Sequence, residues 1–314
     1  MAHQEATNAG LGLTHTELGE PIVIRTVTVE DLAVANRPPQ FSVMEHLTDL
    51  FSRSPAVTHL LVRGSLASGT ADRMSDIDFV IAVKDQHFIQ FTKALDILMT
   101  VEASAIMPGW RDTIVRRMGG IGYVYLAVIN GGLLQIDIYV VPEGIAPSVQ
   151  RTTGASLLYG SLDNETASDP PEAALNAYIE AQLDQPASCE DLITEILILV
   201  FMMRKRIKRG DSFVVYAEVF QLMCAVKDLI RTALAPTSRF WGWYSLHEDL
   251  QYTETGRYCL AELTALISQP LPLSTEHLAS IYQRIMAVVQ AVAPEPLGKL
   301  DLAIAAYANY LEIA

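Results

Sequence analysis

One stretch, residues 63–83, RGSLASGTADRMSDIDFVIAV, constrains the fold of this chain more than any other. It opens on Gly64-Ser65 and runs to Asp76 and Asp78, which are spaced by one residue at the start of an apolar run. On a strand, residues i and i+2 point to one face. The two carboxylates therefore project together, while Ile77, Phe79, Ile81 and Val83 share the opposite face. The preceding THLLVRG reads as another short strand. A turn rich in small residues lets backbone N–H groups and a hydroxyl approach phosphate oxygens closely. Two carboxylates on one face can share divalent cations. A phosphate cradle beside carboxylates that hold metal is the equipment for transferring a nucleotidyl group.

The rest of the first half extends the same sheet. Asn130-Gly131-Gly132 is a hairpin signal between YVYLAVI and LLQIDIYVV. In the second of these strands Leu134, Ile136, Ile138 and Val140 face one way, and Gln135, Asp137 and Tyr139 the other. Asp137 is thus the candidate third carboxylate. The spacing predicts helices near 42–53 and 86–99, with Val43, Leu47, Leu50 and Phe51 on one face of the first, and a strand over Val101–Met107. Residues 1–20 read as a loose arm, 21–28 as a strand, and Pro38-Pro39 as a boundary. Residues 143–171 are rich in Gly, Pro, Ser and Asp and read as a connector. Helical patterns follow near 172–183, 190–208, 213–234, 257–268, 275–292 and 298–312, with Ser188 and Thr275 as N-caps and Gly210 as a C-cap. The expected class is α+β: a mixed sheet first, an all-α bundle second. The partition is 1–40 arm, 41–145 sheet domain, 146–171 connector and 172–314 helical domain.

The Gly-Ser turn followed by Asp-x-Asp resembles the signature of the DNA-polymerase-β-like nucleotidyltransferase superfamily. The order of the two parts resembles the antibiotic nucleotidyltransferases that modify aminoglycosides or lincosamides. Arg209-Gly210-Asp211, with Tyr216 and Glu218 on the next helix, is similar to the Arg-Gly-acid opening of their helical domains, with Asp where glutamate is common. The motif covers residues 57–141; residues 172–314 match in architecture alone.

The resemblance implies that Asp76, Asp78 and Asp137 hold Mg²⁺, two ions in all. It implies that Gly64 and Ser65 hold the β- and γ-phosphates of a nucleoside triphosphate, ATP before the others. Arg63 and Arg73 either balance phosphate charge or are surface arginines. The run Arg204-Lys205-Arg206-Ile207-Lys208-Arg209 complements a helix C-terminus. One of its side chains, assigned here to Lys208, would reach the triphosphate across the cleft, as helical-domain lysines do in relatives. The reaction also calls for a base at the acceptor hydroxyl. Glu102, in an otherwise apolar strand candidate, ranks ahead of Glu195, on a helix apolar almost all round. Phe240-Trp241-Gly242-Trp243-Tyr244 either stacks a base or sugar or packs at a helix–loop junction.

Composition narrows the partners. A net charge of −14 argues against a general nucleic-acid binder and is compatible with a cationic substrate. The resemblance implies a small hydroxylated acceptor, an aminoglycoside being the example, and a role in antibiotic resistance. A protein acceptor, a biosynthetic metabolite, or a nucleotide-binding module without turnover are the rival readings. Cys189, Cys224 and Cys259 are far apart and form no metal-ligand spacing. The start lacks a signal-peptide core, and the longest strongly apolar run, Ile196–Met203, is too short to span a bilayer, so the expected setting is cytoplasmic and away from membranes. Monomer and homodimer both remain open. Neither a G-x-S-x-G elbow nor a Walker A loop is present.

Overall fold

The runs with the cleanest alternation lie side by side in the middle of one sheet. The computed structural model describes Val29 and residues 40–112, 118–162 and 172–311. The expected arm, the strand at 21–28 and the Pro38-Pro39 boundary lie outside the described residues. Six strands, β1 (Val57–Arg63), β2 (Ile77–Val83), β3 (Trp110–Asp112), β4 (Ile121–Ile129), β5 (Gly132–Pro142) and β6 (Ser156–Tyr159), are ordered β3-β4-β5-β2-β1-β6. β2 and β5 run parallel, and the other pairings are antiparallel. The sheet is therefore mixed, and a helical region follows it.

Helices α1 (Phe41–Ser52), α2 (Gly64–Ser68) and α3 (Phe88–Ala103) accompany the first strands. One face of the sheet is wholly apolar. Leu60, Val62, Ile77, Phe79, Ile81, Ile136 and Ile138 pack there against Leu47 and Phe51 of α1 and Leu95 and Met99 of α3. Each fully buried side chain of this size contributes about 1.5–3 kcal/mol. A slip of one residue in β2 or β5 would exchange them for Asp78 and Asp137, so the core locks the register that aims both carboxylates at the other face.

That second face is covered in two pieces. Ala146 and Val149 of α4 (Ala146–Thr153) pack on Leu61, Val80, Tyr139 and Val141. The core of the helical region reaches the sheet through Met107, Val124 and Leu126. The helices there are α5 (Ala173–Asp184), α6 (Cys189–Arg209), α7 (Ser212–Leu234), α8 (Leu246–Leu250), α9 (Glu254–Ile267), α10 (Thr275–Val292), α11 (Pro294–Lys299) and α12 (Asp301–Leu311). α5 places Leu175 and Ile179 in the sheet's apolar core, so the bundle core begins at α6. Ser188 and Asp191 form a reciprocal capping box at the start of α6, and Gly210 ends it at φ 72°. At α10 the cap is Ser274 rather than Thr275: its hydroxyl accepts from the His277 N–H. No helix among the described residues is long and apolar enough to cross a membrane.

Three expectations need correction. Val101–Ala103 is the last turn of α3, not a strand; Leu95, Met99 and Ala103 continue its buried stripe and Ser104 ends it in the left-handed region. Only Ala105 bridges a strand, at Ala127. The connector contains α4 and β6, because its prolines and glycines act as helix punctuation: Pro147 lies in the first turn of α4 and Gly154 caps it at φ 66°. The last expected helix is two, α11 and α12, separated at Leu300.

Candidate active site

β1 delivers Arg63, and Gly64 then turns the chain into α2 at φ +69°. A Cβ at Gly64 would stand 2.4 Å from Asp78 Oδ2. Both the backbone angle and the space admit only glycine. Ser65, next in line, keeps a buried hydroxyl with no hydrogen-bond partner. The loop to β2 is tied by its own side chains. Asp72 Oδ1 accepts from the Ser75 hydroxyl at 3.0 Å and the Met74 N–H at 2.8 Å. From α1's N-terminal edge, Gln40 Nε2 donates to the Ser75 carbonyl at 2.6 Å. Asp76 leaves this loop one residue before β2.

Strand register then assembles the acids. Asp78 is aligned with Asp137 across the parallel β2–β5 pair and with Arg63 across the antiparallel β1–β2 pair. Arg63 Nη2 donates to Asp78 Oδ1 at 3.3 Å, and its guanidinium lies 4.2 Å from the centre of the Tyr139 ring. From the helical region comes Lys205 of α6. Its ammonium donates to Asp76 Oδ2 at 3.1 Å and to Gln135 Oε1 at 2.8 Å. Gln135 Nε2 in turn donates to both oxygens of Asp137, at 2.8 and 3.1 Å. One turn on, Arg209 grips the Asp72 carboxylate at 2.6 and 3.1 Å.

The electrostatics are unbalanced. Burial and the charge of Asp76 push the Asp78 carboxyl up to about 6, against the pull of Arg63. Burial, then Asp78 and Asp76, push Asp137 well above the carboxylate range. Burial also works to raise Asp76, but Lys205 outweighs it and holds that carboxyl low. Lys205 thus brings one acid of the three low, while Arg63 does not offset the crowding of the other two.

The residues singled out from sequence divide cleanly. Gly64, Ser65, Asp76, Asp78 and Asp137 meet, with Arg63 among them. Arg73 is exposed on the loop before β2. Lys208 is exposed in the last turn of α6, and the lysine at the carboxylates is Lys205, one turn earlier. A signal was available: Lys205 stands at i+4 from the buried Phe201, on the inward face of the helix. Glu102 lies in the last turn of α3, 3.2 Å from His46, on the apolar side of the sheet from which Asp78 and Asp137 are turned away. Glu102 is therefore not placed to serve as the base expected of it. Glu195 is ten residues before Lys205 on α6, about 15 Å along the axis, between hollows of about 100 and 250 Å³. Burial first, then Asp228 and Asp191, push its carboxyl up to about 7. A hollow of about 520 Å³ in the helical region, walled by Tyr216, Phe220 and Trp243, includes none of the three aspartates. Gln135 was visible only as a polar neighbour of Asp137.

Residues 43–110 match the family model of the nucleotidyltransferase domain. The chain carries a nucleotidyltransferase domain. The match spans α1, β1, the Gly64-Ser65 turn, Asp76 and Asp78, and it stops before β5 and Asp137. By class the protein is a transferase of nucleotidyl groups. No curated protein matches the chain.

Nucleotidyltransferase chemistry calls for a divalent cation. Among the described residues no three acidic, His or Cys side chains are gathered as a ready-made metal group; Arg63, Lys205 and Gln135 hold the three aspartates instead. The donor chemistry nonetheless fits. Hard divalent ions take carboxylate oxygens, and Asp78 and Asp137 both stay raised in spite of Arg63 and Lys205. The unpartnered Ser65 hydroxyl and the side-chain-free Gly64 fit a phosphate oxygen on the same edge.

Proposed function

We propose that this chain moves a nucleoside monophosphate, AMP before the others, from a nucleoside triphosphate to a hydroxyl of a small cationic acceptor of the aminoglycoside type. The observation that carries this reading is the alignment of Asp78 with Asp137 directly beside Gly64 and the unpartnered Ser65 hydroxyl. Asp76, Asp78 and Asp137 would hold Mg²⁺, which when bound supplies positive charge at the phosphoryl oxygens. Gly64 leaves room for the phosphates, and the Ser65 hydroxyl and Arg63 donate to them. Arg63 Nε is also buried without a partner, so a donor is free for this role. Lys205 holds phosphate charge from the helical side. The acceptor oxygen attacks the α-phosphorus, the bridge to the β-phosphate breaks, and pyrophosphate leaves with that electron pair. The hydroxyl proton passes to Asp137. The net charge of −14 favours an ammonium-bearing acceptor over a polyanionic one.

The test is pyrophosphate release from the pure protein with Mg²⁺, each nucleoside triphosphate in turn, and a panel of aminoglycosides and lincosamides. Release with one drug, lost in Asp78→Asn, supports the reading. Silence across the panel with nucleotide binding intact overturns the acceptor class.

A further inference from the structure

We infer that Gln135 is a positioning residue for the transfer reaction: it fixes the carboxylate of Asp137 and is itself fixed by Lys205 of the helical region. The inference rests on the proposed role of Asp137 as a metal-holding carboxylate.

Three buried groups form a line across the boundary between sheet and helices. Lys205 is 4% exposed, Gln135 3% and Asp137 8%. Lys205 Nζ donates to Gln135 Oε1, and Gln135 Nε2 donates to both oxygens of Asp137. An ammonium has donors alone, and an ionised carboxylate has acceptors alone. A side chain that joins them in line must accept at one end and donate at the other. The primary amide does this without adding charge. Lys205 also dictates which way the amide points, since the reverse flip would set NH₂ against NH₃⁺ and C=O against the carboxylate. The residues are too buried for water to replace these contacts freely, so loss of the amide takes from Asp137 the hydrogen bonds that both its oxygens accept. β5 places Gln135 and Asp137 two residues apart on one face, which makes the contact a property of the strand. Lys205 comes from α6, so the orientation of the third carboxylate depends on the docking of the helical region.

The test uses the full chain and Mn²⁺ as the probe, with a non-hydrolysable ATP analogue present, and reads free Mn²⁺ by electron paramagnetic resonance. Gln135→Leu is expected to weaken Mn²⁺ binding by about tenfold or more, in line with the loss of other partners that orient metal ligands. In an Asp137→Asn background the same substitution is expected to change binding by less than about twofold, because the amide acts through Asp137. Thermal melts accompany each variant; if Gln135→Leu does not fold, Gln135→Met, which keeps the side-chain length, replaces it. Mn²⁺ binding unchanged by Gln135→Leu, with Asp137→Asn weakened, overturns the inference and spares the site. An equal loss in both backgrounds also overturns it, and marks Gln135 as structural. Binding unchanged by Asp137→Asn itself overturns the assignment of Asp137, and the inference with it.

Discussion

Arg231 and Lys205 are both buried cations, and their surroundings could hardly differ more. Arg231, fully buried on α7, donates to the carbonyls of Gly242, Ser238 and Tyr244, to the Ser238 hydroxyl, and to Asp249 at 2.6 Å. Every side of the guanidinium is used, and every partner lies in the turn after α7 or in α8. Lys205 donates to Asp76 and Gln135. Around it lie two acids pushed up by burial and mutual repulsion, and beside them an unpartnered Ser65 hydroxyl and Arg63 Nε. The first network is closed and shapes a loop. The second is left open, with polar groups that a substrate and a cation can complete. Buried polar groups are ordinarily satisfied, so the place where they are not is informative about chemistry. The aromatic run lies on the loop that Arg231 folds, where Phe240, Trp241 and Tyr244 are exposed.

The difference can be pressed from both ends. The largest effect is expected at the open network. Asp78→Asn should cut pyrophosphate release by about a thousandfold or more, from several kcal/mol of lost transition-state stabilisation, while the unfolding midpoint holds or rises because a repulsive charge is gone. At the closed network Arg231→Met should leave Asp249 and three carbonyls without their donor and cost about 3–5 kcal/mol of stability, read by urea denaturation. Nucleotide binding by the folded fraction should survive it. A fall in activity without a fall in stability would break the contrast.

Gly64→Ala should follow. The backbone at φ +69° costs an L-residue about 1–2 kcal/mol, and the new methyl must displace Asp78 Oδ2. Binding of an ATP analogue, measured by calorimetry, should weaken more than the melting point falls. The smallest effect belongs to Glu195, which is half-buried near Asp228 of α7 and Asp191 of its own helix, takes a hydrogen bond from Trp110, and shares its two hollows with Arg111 and Arg239. Its carboxyl is raised from 4.5 to about 7 in the folded chain. The folded state therefore holds a proton that the unfolded chain gives up. The contribution to stability is full below pH 4.5 and is lost as pH rises through about 7, by at most about 1.4 kcal/mol per pH unit. Glu195→Gln should flatten that slope in denaturation curves taken across the range.

Much of the site was legible because it depends on local rules. Period-two alternation in IDFVIAV and LLQIDIYVV places Asp78 and Asp137 opposite an apolar face, and burial of that face makes the assignment firm. The Gly64-Ser65 turn is a matter of three residues. What misled was local pattern under tertiary control. Val101–Met107 is apolar enough for a strand, but the stripe through Met99 and Ala103 wins because it packs on the sheet. The Gly- and Pro-rich connector holds a helix and an edge strand whose partner, β1, lies some ninety residues back.

The amino-acid sequence by itself determined the two-part order, the central alternating strands, the glycine turn and the acids that leave it, since each follows from residues a few positions apart. Only the tertiary structure decided that β2 and β5 lie parallel with Asp78 against Asp137, that Glu102 falls on the far face, and that Lys205 rather than Lys208 enters the acids. A basic run at a helix end looks the same whichever of its side chains turns inward. The choice among them is made by how the helix docks, and docking is settled by the burial of residues far apart in the chain.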